Sequence, residues 1–381
     1  MYAKAVSMFQ KGVQNGSNFL SLHQIIHIIY MTRLAQRCLL PIVIALLLSG
    51  CGEKGKSELK KFTLDGRVQG TYYHIVYYHL DDKEAARAKL PNSNDIKRGI
   101  DSIFKAIDET LSLWNPNSIV SKVNANEQVM LNDIFIDNFQ SAQEFSRLTD
   151  GCFDITIAPI VKAQGFANEQ RTKTDKQQID SLMQYVGYDK VKIENNTIKK
   201  LYPQTQLDFN AIAQGYTSDK VSQYLTKNNI CSHIVDVGGE VYASNRKPDG
   251  QQWRVAIEQP SETPDAQREY NSFIKIENQS IVTSGNYRKF FVENGIKYTH
   301  TIDPKTGQNA KHSLLSVSVV AKTATTADAL ATAFMVMGME KAEAFIAKHP
   351  EYQAIFIYCD TDGKTKTKAT KGLQDQIEIL K

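Results

Sequence analysis

Strand-like and helix-like stretches come in blocks along this chain, without regular alternation, and that order constrains the fold more than any other feature. The run FTLDGRVQGTYYHIVYYHL (62–80) is rich in aromatic and β-branched residues and reads as strands. A helical block follows. Ser93 or Asn94 would open a helix to about Leu111, with Ile96, Ile100, Ile103, Phe104, Ile107 and Leu111 as its buried stripe. A second helix runs over about 133–148 and stops at Asp150-Gly151, and a third covers about 175–185. KVKIENNTIKKL is a hairpin with Asn195-Asn196 at its tip. After a helix from about Ala211 to Leu225, strands dominate from Ser232 to Val320, with hairpin turns expected at Pro248-Asp249-Gly250 and Glu293-Asn294-Gly295. Helices over about 326–337 and 341–348 and a β-rich stretch close the chain. Blocks of this kind predict an α+β fold of mostly antiparallel sheets flanked by helices.

The first 50 residues carry Lys4, Lys11, Arg33 and Arg37 and no Asp or Glu. From Met31, two arginines precede an apolar stretch, Cys38 to Leu48, too short to span a bilayer stably, and small residues then lead to Cys51. We expect residues 1–50 to be a signal-peptide region whose true start is Met31. Leu48-Ser49-Gly50-Cys51 resembles the lipobox of bacterial lipoproteins, in which the cysteine becomes the lipidated first residue, and multiple acyl chains anchor durably. Residues 51–61 would then be a lipidated tether and 62–381 the working domain. The expected location is exported and membrane-anchored, on the periplasmic face of the inner or outer membrane. A transmembrane anchor is the competing reading, and the short apolar core argues against it.

Only four of the 45 Lys and Arg lie in that leader, so the rest balance the 41 acidic residues. A neutral body lacks the basic excess of a nucleic-acid binder, and none is expected as a partner. Cys152, Cys231 and Cys359 are too few and too scattered for a disulfide framework or a CxxC metal site, and read most simply as buried apolar residues. Within residues 62–381, P-loop, GxGxxG, HExxH and GxSxG patterns are absent, which argues against P-loop, Rossmann and common hydrolase chemistry in the working domain.

Four stretches could carry chemistry, each with a plain structural alternative. In LDFNAIAQGY (207–216) a strand passes through Asp208 and Asn210 into a helix, and irregular backbone there can expose carbonyls to a cation; a simple capped helix is the alternative. Gly238-Gly239 in VDVGGEVYA allows close ligand approach or merely a turn. VTSGNYRKFF (282–291) offers hydroxyls and Arg288, and YTHTIDPKTG places His300 beside hydroxyl and carboxylate side chains; a lone histidine is more often structural. Asp328 and Thr332, four apart in TATTADALATAFMVMG, share a helical face and could share a hard cation such as Mg²⁺. Otherwise Asp328 only complements the positive helix end.

Taken in order, GTYYHI (70–75), LWNPNSIVSKVN (113–124), GCFDITIAPIVKAQGF (151–166), LDFNAIAQGY, TSGNYRKFF (283–291), HTIDPKTG (300–307) and ADALATAFMVMG (327–338) resemble the ApbE family of bacterial flavin transferases. The resemblance implies an ApbE-like, T-fold-like architecture. It implies an FAD:protein FMN transferase that moves FMN from FAD onto a Thr or Ser hydroxyl of an acceptor redox protein and releases AMP with Mg²⁺. The carbonyl of Ala211, with Asp328 and Thr332, would hold Mg²⁺. Asp208, Gln214 and the backbone at Ile302 would contact FAD. Gln69, Trp114, Cys152, Phe153 and Asp154 would line the flavin or adenine pocket, and His300 would be catalytic. Two departures stand out: Asn210-Ala211 replaces the usual Gly-Gly, and Gln214 the usual Lys or Glu. An FAD pyrophosphatase, with water replacing the acceptor, and a non-catalytic flavin-binding lipoprotein are the alternatives.

Overall fold

A computed structural model describes residues 58–166, 175–260, 269–286, 290–293, 296–299 and 301–379. Its centre is an eight-stranded, wholly antiparallel sheet. In spatial order it contains β1 (Lys60–Val68), β2 (Thr71–His79), β5 (His233–Val237), β6 (Glu240–Ser244), β9 (Gln279–Gly285), β12 (Leu314–Ala321), β13 (Gln353–Cys359) and β14 (Thr365–Ala369). β3 (Val191–Glu194) and β4 (Thr197–Lys200) form the small hairpin expected at Asn195-Asn196. Both tip residues have positive φ, 49° and 56°, the conformation that Asn tolerates and a tight two-residue hairpin requires.

The helices are α1 (Asp82–Arg87), α2 (Ser93–Leu111), α3 (Ile119–Asn124), α4 (Asp133–Leu148), α5 (Ala158–Ala163), α6 (Lys176–Met183), α7 (Ala213–Lys227), α8 (Ala324–Met337) and α9 (Met339–Lys348). α2 lays Ile96, Ile100 and Phe104 against Ile75, Tyr77 and Val235 of the sheet, with Val221 and Leu225 of α7 completing that cluster. Its cap is Asn92, one residue before the expected candidates, in a reciprocal box with Asp95. α8 is apolar on nearly every side and sits deep in the largest cluster, where Leu330 and Phe334 meet Val317, Val319 and Phe356.

The opposite face of the sheet is covered by β7 (Trp253–Glu258), β8 (Tyr270–Ile276) and β15 (Ile377–Ile379), ordered β15-β8-β7. Ile257, Ile274 and Ile276 there pack on Ile281, Val320 and Ile355. The turn at Pro248-Asp249-Gly250 is therefore no hairpin between paired strands: it carries the chain from β6 in one sheet to β7 in the other. β10 (Phe290–Glu293) pairs with β11 (Ile296–Thr299) as expected around residues 294–295.

Strand β1 starts at Lys60, so the expected tether ends two residues early. Cys51 and the whole leader lie outside the described residues. Among the described residues no helix is long and apolar enough to cross a membrane. The cysteines are less buried than expected: Cys231 is exposed, and Cys152 and Cys359 are half-buried. Cys231 stands between the end of α7 and the start of β5, outside the alternation that turns β5 side chains inward.

Candidate active site

α7 was expected from about Ala211 but starts at Ala213. The Phe209 carbonyl accepts from both Ile212 and Ala213, at 3.0 and 2.9 Å, and so closes a tighter turn just before the helix. One turn on, the N–H of Gly215 points at another helix: it donates to Oδ2 of Asp328 on α8 at 3.0 Å. In a regular helix that N–H would satisfy the Ala211 carbonyl. Here no donor among the described residues reaches the Ala211 carbonyl. Glycine is required at 215 by close approach. A Cβ there would collide with the Ala324 carbonyl and lie 2.8 Å from Cβ of Asp328.

α8, by contrast, begins earlier than expected, at Ala324, with Thr323 as its cap: Thr323 Oγ1 accepts from the Thr326 N–H at 3.2 Å. The other free amides of its first turn are taken by α7. Asp219 accepts from the Ala324 and Thr325 N–H groups, both at 2.8 Å, and from the Thr325 hydroxyl at 2.6 Å. The two helices thus exchange carboxylates, Asp219 of α7 capping α8 and Asp328 of α8 capping the start of α7. Both side chains are buried, and burial pushes both carboxyl groups up from the ordinary range; for Asp328, the nearby Asp219 charge adds to that rise. Thr332 follows one turn after Asp328 and is half-buried.

Two hairpin tips adjoin this helix pair. Gln69, at φ 51°, and Gly70 join β1 to β2, and Gly238 and Gly239, at φ 72° and 111°, join β5 to β6. The Gly238 N–H donates to the Tyr72 carbonyl at 2.9 Å and ties one tip to the other. Gln69 Nε2 donates to Thr217 Oγ1 at 2.7 Å, and that hydroxyl donates to the Ala213 carbonyl at 2.7 Å. At Gly238 a Cβ would lie 3.1 Å from Gln214 Nε2 and 3.0 Å from Glu240 Oε2, so these side chains converge on the bare tip. Asp208 is half-buried at the mouth of the same turn. Its N–H donates to the Ile155 carbonyl at 2.7 Å, and its Oδ1 accepts from the Asn210 N–H at 2.8 Å.

The structure therefore gathers Ala211, Asp328 and Gln214 around the first turns of α7, with Gln69 attached to that helix through Thr217. Ile302 is buried beside Ile160 and Ile179. It pairs with Asn309 through bonds on either side of it, Asp303 N–H to Gln308 and Ala310 N–H to Thr301. Its own amide and carbonyl stay outside that ladder. Trp114 stands 75% exposed between α2 and α3. Cys152 is half-buried, its thiol pushed up mainly by burial.

The side chains of Phe153 and Asp154 are buried. Phe153 is turned into the core edge-on to Phe145. The Asp154 carboxylate is occupied by the Thr156 N–H and hydroxyl and the Tyr188 N–H, at 2.7 to 2.8 Å, and holds two loops together. His300 and Arg288 lie outside the described residues. The residue after His300 is anchored: Thr301 Oγ1 donates to Asn286 Oδ1 at 2.5 Å, just past the end of β9. Gly215, Thr217 and Asp219 were missed by the sequence reading. The only signal was the i, i+4 spacing of Gly215 and Asp219 within AQGYTSD, which puts those two on one face of α7.

A model of the ApbE family matches residues 69–356. A protein of Haemophilus influenzae named FAD:protein FMN transferase is 31% identical over 89% of this chain and 97% of its own length. One of the same name from Vibrio cholerae is 32% identical over 84% and 92%. Among solved structures, the flavin transferase ApbE from Vibrio cholerae superposes with a TM-score of 0.73 at 28% identity, covering 84% of this chain and 99% of that one. With the family model spanning most of the folded body, and with relatives aligned nearly end to end, this chain belongs to the ApbE family.

Proposed function

We propose that this protein is an FAD:protein FMN transferase: it takes FAD, attaches FMN to a Thr or Ser hydroxyl of an acceptor redox protein, and releases AMP. The observation that carries the reading is the bond from the Gly215 N–H to Asp328. It fixes one carboxylate oxygen and leaves the Ala211 carbonyl unclaimed, and Thr332 follows on the same helical face. One carboxylate, one carbonyl and one hydroxyl are the oxygen donors that suit a hard cation. Among the described residues no three His, Cys, Asp or Glu side chains cluster as a metal set, so a cation here would rest on this mixed group. Mg²⁺ held by Ala211, Asp328 and Thr332 would supply neutralisation of pyrophosphate charge.

The chain's own residues do the rest. Asp208, Gln214 and the backbone of Ile302 hold the dinucleotide, with Gln69, Trp114 and Cys152 at its edges. The Gly238-Gly239 tip admits it closely. The acceptor hydroxyl oxygen bonds to the FMN phosphorus as the bond to the AMP oxygen breaks, and His300 takes the hydroxyl proton. Gln214 offers a neutral amide, so FAD is held there by hydrogen bonding. AMP release measured with and without an acceptor tests the reading: release that needs the acceptor supports transfer, and equal release without it makes the protein a pyrophosphatase.

The same proposal places the enzyme outside the cytoplasm, anchored through a lipid on Cys51. Support comes from the basic, then apolar, then small-residue order before that cysteine. Cys51→Ser is expected to leave the membrane fraction while keeping activity in solution. A variant that stays membrane-bound with its leader uncleaved would point to a transmembrane anchor instead.

A further inference from the structure

We infer that Asp219 is a positioning residue for the cation site, holding Asp328 in place by capping the helix that carries it; this rests on the proposed role of Asp328. Three facts support it. Asp219 accepts three hydrogen bonds, all from the first turn of α8: the Ala324 N–H, the Thr325 N–H and the Thr325 hydroxyl. Asp328 lies one turn further along that helix, and its Oδ2 is held by Gly215, which lies one turn before Asp219 on α7. The helices also touch backbone to side chain at that point, since no Cβ fits at Gly215 between the Ala324 carbonyl and Asp328.

The consequence is geometric. A helix pair joined by one hydrogen bond can pivot about it. A pair joined at both ends of a one-turn square, Gly215 to Asp328 and Asp219 to Ala324–Thr325, cannot rotate or slide without breaking a buried bond. The placement of Asp328 against the start of α7 is thus set by a residue outside the proposed ligand set. Outer residues that orient a metal ligand typically contribute a factor of about 10–100 to metal affinity. A carboxylate is required at 219 because three donors converge on it. An asparagine would turn an N–H₂ group toward one of the donors and could not accept from all three.

The test is direct binding of Mg²⁺ alone to the full chain, read by calorimetry, beside the Mg²⁺ concentration that half-saturates turnover. Asp219→Asn is expected to weaken Mg²⁺ binding by about tenfold or more while FAD affinity changes little. Thr325→Val removes one of the three bonds and is the milder variant should Asp219→Asn fold poorly; it is expected to fall between, and Thr325→Ser to restore wild-type binding. Ile100→Ala, a buried change on α2, supplies the stability-matched comparison and should leave Mg²⁺ affinity unchanged. Wild-type Mg²⁺ affinity in folded Asp219→Asn or Thr325→Val, or an equal loss in Ile100→Ala, would overturn the positioning role. A wild-type chain that binds no Mg²⁺ would instead overturn the cation site itself.

Discussion

Gly215 and Asp328 are 113 residues apart in the chain and joined by a 3.0 Å hydrogen bond from the backbone of one to the carboxylate of the other. The bond does two things at once. It fixes a buried carboxylate that burial would otherwise leave without a partner, and it diverts the N–H that would have occupied the Ala211 carbonyl. A helix start that looks merely irregular thus leaves one carbonyl unclaimed and one carboxylate fixed at the beginning of α7.

Gly215→Ala should damage both the helix contact and the site. The new methyl meets the Ala324 carbonyl and Asp328 Cβ, neither of which is a flexible side-chain end. Overpacking of this kind typically costs on the order of 1–3 kcal/mol. A lowered melting temperature together with weaker Mg²⁺ binding is expected. A variant as stable as the wild type would show that the helices can separate without cost.

Asp328→Asn should divide function from stability. Burial raises the carboxyl pKa, so the folded, cation-free protein binds that proton more tightly than the unfolded chain does. The resulting stabilisation is present at low pH and is lost as pH rises through the raised value. At pH 8 the charge is therefore a burden without a cation, and Asn keeps an oxygen for the Gly215 N–H. Cation-free Asp328→Asn is expected to melt at or above the wild-type temperature at pH 8 while losing most Mg²⁺-dependent turnover. A clear fall in its cation-free melting temperature would mean that the charge is paired within the protein.

His233 should make the fold sensitive to acid, away from the active site. Its ring is fully buried; Nδ1 donates to the Ile230 carbonyl at 2.9 Å, so Nε2 accepts from the Ser222 hydroxyl at 2.8 Å. Burial lowers its pKa from 6.5 to about 4. Between those values the unfolded chain binds a proton that the folded chain refuses, so stability falls as pH drops from 6.5 towards 4. A shift of this size corresponds to about 3 kcal/mol. Denaturant titrations across that range should show this loss in the wild type and a shallower one in His233→Gln. Equal slopes would remove His233 as the cause.

Local pattern carried much of the fold. The stripe Ile96, Ile100, Phe104, Ile107 and Leu111 lies buried along α2, and Asn195-Asn196 turns the hairpin where two left-handed residues are needed. What the sequence hid was tertiary. The first residues of α7 and α8 were misplaced by two because their end groups are satisfied by each other, through Asp219 and Asp328, across more than a hundred residues. No window of neighbouring residues contains that exchange. Nor does the motif around Phe153 and Asp154 announce their side-chain partners, which are Phe145 for the one and Thr156 and Tyr188 for the other. The carbonyl of Ala211 as a ligand came from the resemblance; helical spacing offered Asp328 and Thr332 as a cation pair on one face but could not say what they faced.

The most direct measurement is the intact mass of an acceptor protein after incubation with FAD, Mg²⁺ and this enzyme, run beside His300→Ala. Transfer requires the acceptor to gain one FMN on a Thr or Ser, with one AMP released for each. The expected result is that mass gain with the wild type, abolished by removing Mg²⁺. With His300→Ala, FAD binding is expected to persist and transfer to slow by on the order of 10²–10⁴-fold, the usual contribution of a general base. AMP appearing while the acceptor mass stays unchanged, or full transfer without Mg²⁺, would contradict the account.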